Sequence, residues 1–232
     1  MTDTLAYLLD GKIYINLTNA CTNNCIFCLR NDKDDVCGAE MWLNNENHSA
    51  KEVIEQVENI ISNICHPELV SGSYADEEIR FRNEFGMTFS SEITFCGYGE
   101  PTLKLDILKE VAKYLKEKYP NVKLRINTNG HVNYIYKRNI IPELKGLIDT
   151  ISVSLNGENE EEYNKYSNPK FDNAYGEVKK FIKASSDAGI NTVATVVDGY
   201  KGQRLNLEKC EQIAAELGAK FRVREWIENG YS

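Results

Sequence analysis

Three cysteines, Cys21, Cys25 and Cys28, lie within eight residues at the spacing CxxxCxxC. Thiolates are soft ligands, suited to zinc or to iron–sulfur clusters. A structural zinc site takes four ligands, usually from paired CxxC knuckles. No second knuckle follows here: Cys37 stands alone and Cys65 lies far along the chain. Three ligands instead suit a [4Fe–4S] cluster with one iron left open to an outside donor, and a zinc knuckle is the alternative for the same residues. Seven cysteines in all, an odd number, ask for a metal or a reactive-thiol explanation.

The elements that position this loop follow a repeated plan, a β-rich run and then a stretch of helical periodicity. Strands are expected over 13–17, 92–96, 122–127, 149–154, 191–197 and 221–227. Ser49 and Glu52 form a capping box, and Val53, Ile54, Val57, Ile60, Ile61 and Ile64 follow at helical steps. Leu108, Val111, Ala112, Leu115 and Tyr119 make a second stripe, stopped by Pro120. Val178, Phe181, Ile182 and Ala188 make a third, ended by Gly189. Leu207, Cys210, Ile213, Ala214 and Leu217 make a fourth, ended by Gly218. The stretches 134–147 and 158–166 carry weaker helical signals.

Alternating β and α units imply parallel strands joined by right-handed crossovers. Six units fit 232 residues, whereas a full eight-fold barrel usually needs ~250. The expectation is therefore α/β, a partial (β/α)6 barrel forming one core domain over 1–232. The segment 66–91 is too long for a routine connection and reads as a long loop or insertion.

Several strands alternate where fully buried parallel strands would run apolar throughout. Val122, Leu124 and Ile126 oppose Lys123, Arg125 and Asn127. Ile151, Val153 and Leu155 oppose Ser152, Ser154 and Asn156. Phe221 and Val223 oppose Arg222, Arg224 and Trp226. With helices covering the apolar faces, the polar faces are expected to line a wet, ligand-holding interior, since a buried unpaired polar group costs ~1–3 kcal/mol. The working residues are then those nearest the C-terminal ends of the strands.

The motifs at those ends carry a resemblance. The CxxxCxxC loop follows the first strand, with Phe27 before its third cysteine. FCGYGEPTL ends the second strand, RINTNGHVN the third and SVSLNG the fourth. The set resembles the radical S-adenosylmethionine (SAM) superfamily, and more narrowly its short members associated with TatD-family nucleases. Tyr98 departs from the superfamily pattern, standing in place of the second residue of a Gly-Gly pair. The resemblance implies a [4Fe–4S] cluster on Cys21, Cys25 and Cys28, SAM chelating its unique iron, and reductive cleavage to methionine and a 5′-deoxyadenosyl radical. It also implies SAM contacts from Gly97, Tyr98, Gly99 and Glu100, whose turn would present carbonyls to the SAM ammonium group. Ser154 and Asn156 are candidates for ribose or carboxylate, and Asn127 and Asn129 for similar contacts.

Phe27, Val197 and Trp226 are candidate walls for adenine, each equally suited to the core. Arg125, Arg222 and Arg224 would hold the SAM carboxylate or an anionic substrate, or pair with neighbouring carboxylates. His131 follows the TNG turn, where helix capping or a surface position is the expected role, with proton transfer the alternative. Cys210 lies on an apolar stripe and belongs to the core, while Cys96 is placed toward the interior beside the SAM turn. No catalytic residue is assigned.

The substrate is open. One alternative is an activase placing a glycyl radical on a partner protein, and a remoter one is a non-catalytic zinc-binding module. The resemblance calls for an electron donor such as flavodoxin or ferredoxin. A net charge of −8 argues against general nucleic-acid binding. Residues 1–11 lack the basic start and apolar run of a signal peptide, and no stretch approaches the ~20 apolar residues of a membrane span, so a cytoplasmic protein with reduced thiols is expected.

Overall fold

The computed structural model describes residues 2–64, 80–82, 88–90 and 92–226. Within it the chain divides into two compact units, residues 1–19 with 34–125 and residues 20–33 with 126–232.

The first unit opens with an antiparallel pair, β1 (Ala6–Leu9) and β2 (Lys12–Ile15). Asp10 and Gly11 join them with φ of 49° and 71°, the double left-handed turn that matches strand twist. The hairpin was not expected from the sequence, where residues 1–11 read as a plain N-terminus. A second tight pair, β3 (Asp35–Val36) and β4 (Ala39–Glu40), turns at Cys37 and Gly38. Cys37 is exposed there.

Helix α1 (Ala50–Ile64) starts on the expected capping box. Ser49 N donates to Glu52 Oε2 at 2.7 Å, and Glu52 N donates back to Ser49 Oγ at 3.3 Å. Its stripe buries Val53, Val57 and Ile61, and it packs on β1 and on α2. Of the expected long segment 66–91, the described parts are β5 (Arg80–Arg82) and β6 (Thr88–Ser90), an antiparallel pair. The rest of that segment, and Cys65, lie outside the described residues.

Strand β7 (Glu92–Phe95) pairs in parallel with β2. Helix α2 (Leu105–Lys118) follows, with Leu108, Val111, Ala112 and Leu115 fully buried. Strand β8 (Lys123–Thr128) belongs to this unit through Arg125 and to the second from Ile126. In the first unit the sheet runs β1-β2-β7-β8.

In the second unit, the expected helix over 134–147 is two short pieces, α3 (Val132–Tyr136) and α4 (Ile141–Leu144). Lys137, at φ 51°, breaks it, and the Asn139 side chain caps the restart by accepting from Ile141 N. Then come β9 (Thr150–Ser154), α5 (Glu160–Ser167), α6 (Ala174–Asp187), β10 (Asn191–Asp198), α7 (Leu207–Glu216) and β11 (Lys220–Glu225). The strand order is β8-β9-β10-β11, with β9, β10 and β11 parallel. Helix α6 packs on β9 and β10, and α7 on β10 and β11. Gly189 and Gly218 end these helices at φ 80° and 75°, where a side chain would be strained.

The α/β class with a mostly parallel sheet is the one expected, and each of the six parallel-strand expectations falls on an observed strand within two residues at its described ends. Val122, Leu124, Ile126, Ile151, Val153 and Leu155 are buried to 0% exposure, the apolar faces read from alternation. Among the described residues, no helix is long and apolar enough to cross a membrane.

Candidate functional site

In the first unit the chemistry-bearing turn is built by packing. Cys96 N donates to Ile15 O at 2.9 Å, tying the end of β7 to the end of β2. A Cβ on Gly97 would sit 2.0 Å from Asn16 Oδ1 and 2.9 Å from Asn16 Cα, so only glycine fits. Asn16 is fully buried, its Nδ2 donating to Met41 O at 2.8 Å. Tyr7 donates its hydroxyl to Cys96 O at 3.1 Å. Tyr98 is buried, edge-on to Trp42 at 5.3 Å. The Glu100 carboxylate, 4% exposed, accepts from Thr102 N at 3.2 Å and from Thr102 Oγ1 at 2.6 Å, capping the 3-10 turn Pro101–Lys104. Arg125 is paired with Glu92 through Nε and Nη2, at 2.9 and 3.0 Å.

In the second unit the cysteine loop is stitched to the end of α5 by backbone. Asn24 N donates to Ser167 O, Ile26 N to Tyr166 O and Lys170 N to Thr22 O, at 3.1, 3.0 and 2.9 Å. Cys21, Cys25 and Cys28 are half-buried and in no disulfide. Asn129 Nδ2 lies 3.6 Å from Cys21 Sγ and 2.8 Å from Thr22 Oγ1, donating to both. His131 is buried, not on the surface, and it stands at the N-cap position of α3 (Val132–Tyr136) as expected, although its side chain makes no capping bond there. Its Nδ1 bonds Thr22 Oγ1 at 2.8 Å and its Nε2 bonds the Tyr163 hydroxyl at 2.8 Å. Burial pulls its pKa from 6.5 to about 4, so the ring is neutral, one nitrogen donating and the other accepting.

The donor set can be tested against an iron–sulfur cluster. Burial first, and then the charges of Cys28 and Cys21, push the Cys25 thiol up to about 12. A Cys25 thiolate is therefore unfavourable in this loop unless the group it holds brings positive charge, which iron does. A four-iron cluster takes each thiolate on a separate iron, and the half-buried three-thiol loop fits that group.

The other expected residues fall as follows. Phe27 is buried, 6.3 Å from the Tyr200 ring, and Tyr200 lies 4.9 Å from Trp226. Tyr200 thus links two expected adenine walls and was missed in the sequence, where it stands outside every stripe. Val197 is buried. Asn127 and Ser154 are half-buried at the ends of β8 and β9. Asn156, 1% exposed and at φ 49°, donates from Nδ2 to Ser167 Oγ at 3.3 Å, while its Oδ1 has no partner. A buried acceptor in that state costs ~1–3 kcal/mol and is offset by a ligand that donates to it. Arg224 is half-buried and Arg222 exposed. Cys210 is fully buried, as expected of core. Thr22, Asn23, Tyr163 and Ser167 were not singled out from the sequence.

Residues 15–217 match the sequence model of the Radical SAM superfamily. Among solved structures, the chain is similar to the Streptococcus suis protein SuiB bound to S-adenosylmethionine, with TM-score 0.60 and 19% identity over 94% of this chain and 41% of that one. It is similar to SuiB bound to precursor peptide SuiA, with TM-score 0.60 and 16% identity over 92% of this chain and 39% of that one. It is also similar to a radical SAM methyltransferase from Sphaerobacter thermophilus, with TM-score 0.57 and 16% identity over 95% of this chain and 68% of that one. At these identities the likeness is one of fold, and this chain spans 41% of the length of SuiB. No curated protein matches the chain.

Proposed function

We propose that this chain, which belongs to the radical SAM superfamily, holds a [4Fe–4S] cluster on Cys21, Cys25 and Cys28 and cleaves S-adenosylmethionine. When bound, the cluster and SAM supply one-electron cleavage to methionine and a 5′-deoxyadenosyl radical, which takes a hydrogen atom from a substrate. The observation that carries this reading is the loop of three half-buried cysteines at CxxxCxxC spacing, stitched to α5 by backbone hydrogen bonds.

The chain's own residues take these roles. Gly97 lets the turn it forms with Gly99 close against Asn16, and the carbonyls of that turn are assigned to the SAM ammonium group. Tyr98 and Glu100, buried by Trp42 and by the Thr102 cap, hold that turn in shape. Ser154, Asn127 and the unpartnered Oδ1 of Asn156 receive the ribose hydroxyls or orient the carboxylate. Arg224 offers the carboxylate a guanidinium. Phe27, with Tyr200 beside it, gives adenine an apolar surface.

The sheet is read as part of a partial (β/α)6 barrel, and the family match draws on residues of both units, which supports one core domain. The motif set favours the short TatD-associated subgroup. The electron comes from a donor of flavodoxin or ferredoxin type. Chemistry of this kind needs thiols kept reduced, and the cytoplasm is the setting that goes with this reading. A second reading makes the substrate a partner polypeptide, as an activase would require. It draws on SuiB, which is bound to a precursor peptide.

Anaerobic reconstitution tests the reading. The protein is expected to take up about four irons per chain and, with dithionite and SAM, to release 5′-deoxyadenosine. A colourless protein holding one zinc, with no 5′-deoxyadenosine, would overturn it.

A further inference from the structure

The turn after β8 and the cysteine loop are far apart in sequence and joined by side chains. Asn129 is fixed at both ends. Its Oδ1 accepts from His131 N at 3.1 Å, which directs its Nδ2 to Thr22 Oγ1 and Cys21 Sγ. Gly130 makes this turn possible at φ 77°, and a Cβ there would sit 2.9 Å from Val153 Cγ1. The buried ring of His131 then spans from Thr22 to Tyr163, a distance that no single hydroxyl covers.

From Tyr163 the chain of bonds continues. Asn23 Nδ2 donates to the Tyr163 hydroxyl at 3.2 Å. Asn156 Nδ2 donates to Ser167 Oγ, on the same helix as Tyr163. A continuous path therefore runs from Cys21 through Asn129, Thr22, His131 and Tyr163 to Asn23, so that it leaves the cysteine loop and returns to it. Hydrogen bonds donated to a ligand sulfur stabilise the more negative, reduced form of a cluster and raise its potential. Bonds in such a path support one another, so removing the middle member loosens both ends.

We infer that His131 is a positioning residue for the cysteine loop: by bridging Thr22 and Tyr163 it keeps the Asn129 amide on Cys21 Sγ, and so sets the reduction potential of the cluster those cysteines hold. The inference rests on the reading of Cys21, Cys25 and Cys28 as cluster ligands. It requires no charge on the ring, whose burial keeps it neutral. The ring works by shape and by two hydrogen bonds.

Three variants test it: His131→Leu, which loses both bonds; His131→Asn, whose amide reaches the Nδ1 position and keeps the Thr22 bond; and Asn129→Asp, which removes the amide donor at Cys21. Each is reconstituted anaerobically, its iron counted, and its cluster titrated reductively while the electron paramagnetic resonance signal is followed. All three are expected to hold wild-type iron with midpoint potentials more negative than wild type, His131→Asn lying nearest to it. Should His131→Leu fail to fold, as circular dichroism of the apo-chain would show, the other two decide. Loaded variants with the wild-type potential and signal would overturn the inference while leaving the cluster intact. A wild-type chain that takes up no iron overturns the ligand reading, and this inference with it.

Discussion

Two turns at the ends of neighbouring motifs are built from different materials. The turn over 97–100, in the first unit, is fixed by volume: Gly97 lies against Asn16, Tyr98 is pressed on Trp42 and Glu100 closes on Thr102. The turn over 127–131, in the second unit, is fixed by hydrogen-bond direction, with Asn129 and His131 aimed at the cysteine loop. A turn held by shape presents backbone and is broken by a methyl group. A turn held by polar side chains presents chemistry, and losing one donor detunes it while the packing survives.

The larger effect belongs to the first turn. Gly97→Ala places a carbon 2.0 Å from Asn16 Oδ1 and 2.9 Å from backbone, and overpacking of this kind costs about 1–3 kcal/mol. Urea unfolding of the apo-chain is expected to show that loss to the same extent at pH 7 and pH 5, because the clash is between a methyl group and the uncharged Asn16. An unchanged midpoint would mean that the turn is not held by volume.

The smaller effect belongs to the second turn and depends on pH. The folded-state pKa of His131, about 4, lies below its ordinary 6.5, so between those values the unfolded chain binds the extra proton. Its contribution to stability is complete above 6.5 and is lost as pH falls toward 4. His131→Asn is expected to flatten that part of the curve of melting temperature against pH. An identical slope in both proteins would break the contrast between the turns.

Much of the fold was legible because the signals were local. The Ser49–Glu52 box, the stripes over α1, α2, α6 and α7, and alternation in β8 and β9 each act within a few residues. The β1–β2 hairpin also had a local signal, the Asp10-Gly11 pair between apolar runs, which reads as a terminus only if overlooked. The site was legible where a spacing carries it, as in the three cysteines. His131 was not, because its burial is made by Thr22 and Tyr163, 109 and 32 residues away, and no periodicity announces such a pairing. Tyr200 was hidden for the same reason: its neighbours Phe27 and Trp226 come from distant parts of the chain. Arg125 could be read either way, and the structure pairs it with Glu92.

The central claim is that three cysteines hold a cluster whose remaining iron is left for SAM. The measurement that tests it most directly is electron–nuclear double resonance on the dithionite-reduced protein with SAM carrying nitrogen-15 in its amino group. The account predicts a nitrogen-15 coupling to the cluster spin, present in the wild type and absent with Cys25→Ala. A reduced cluster that shows no coupling to labelled SAM, or a spectrum unchanged by its addition, would contradict it.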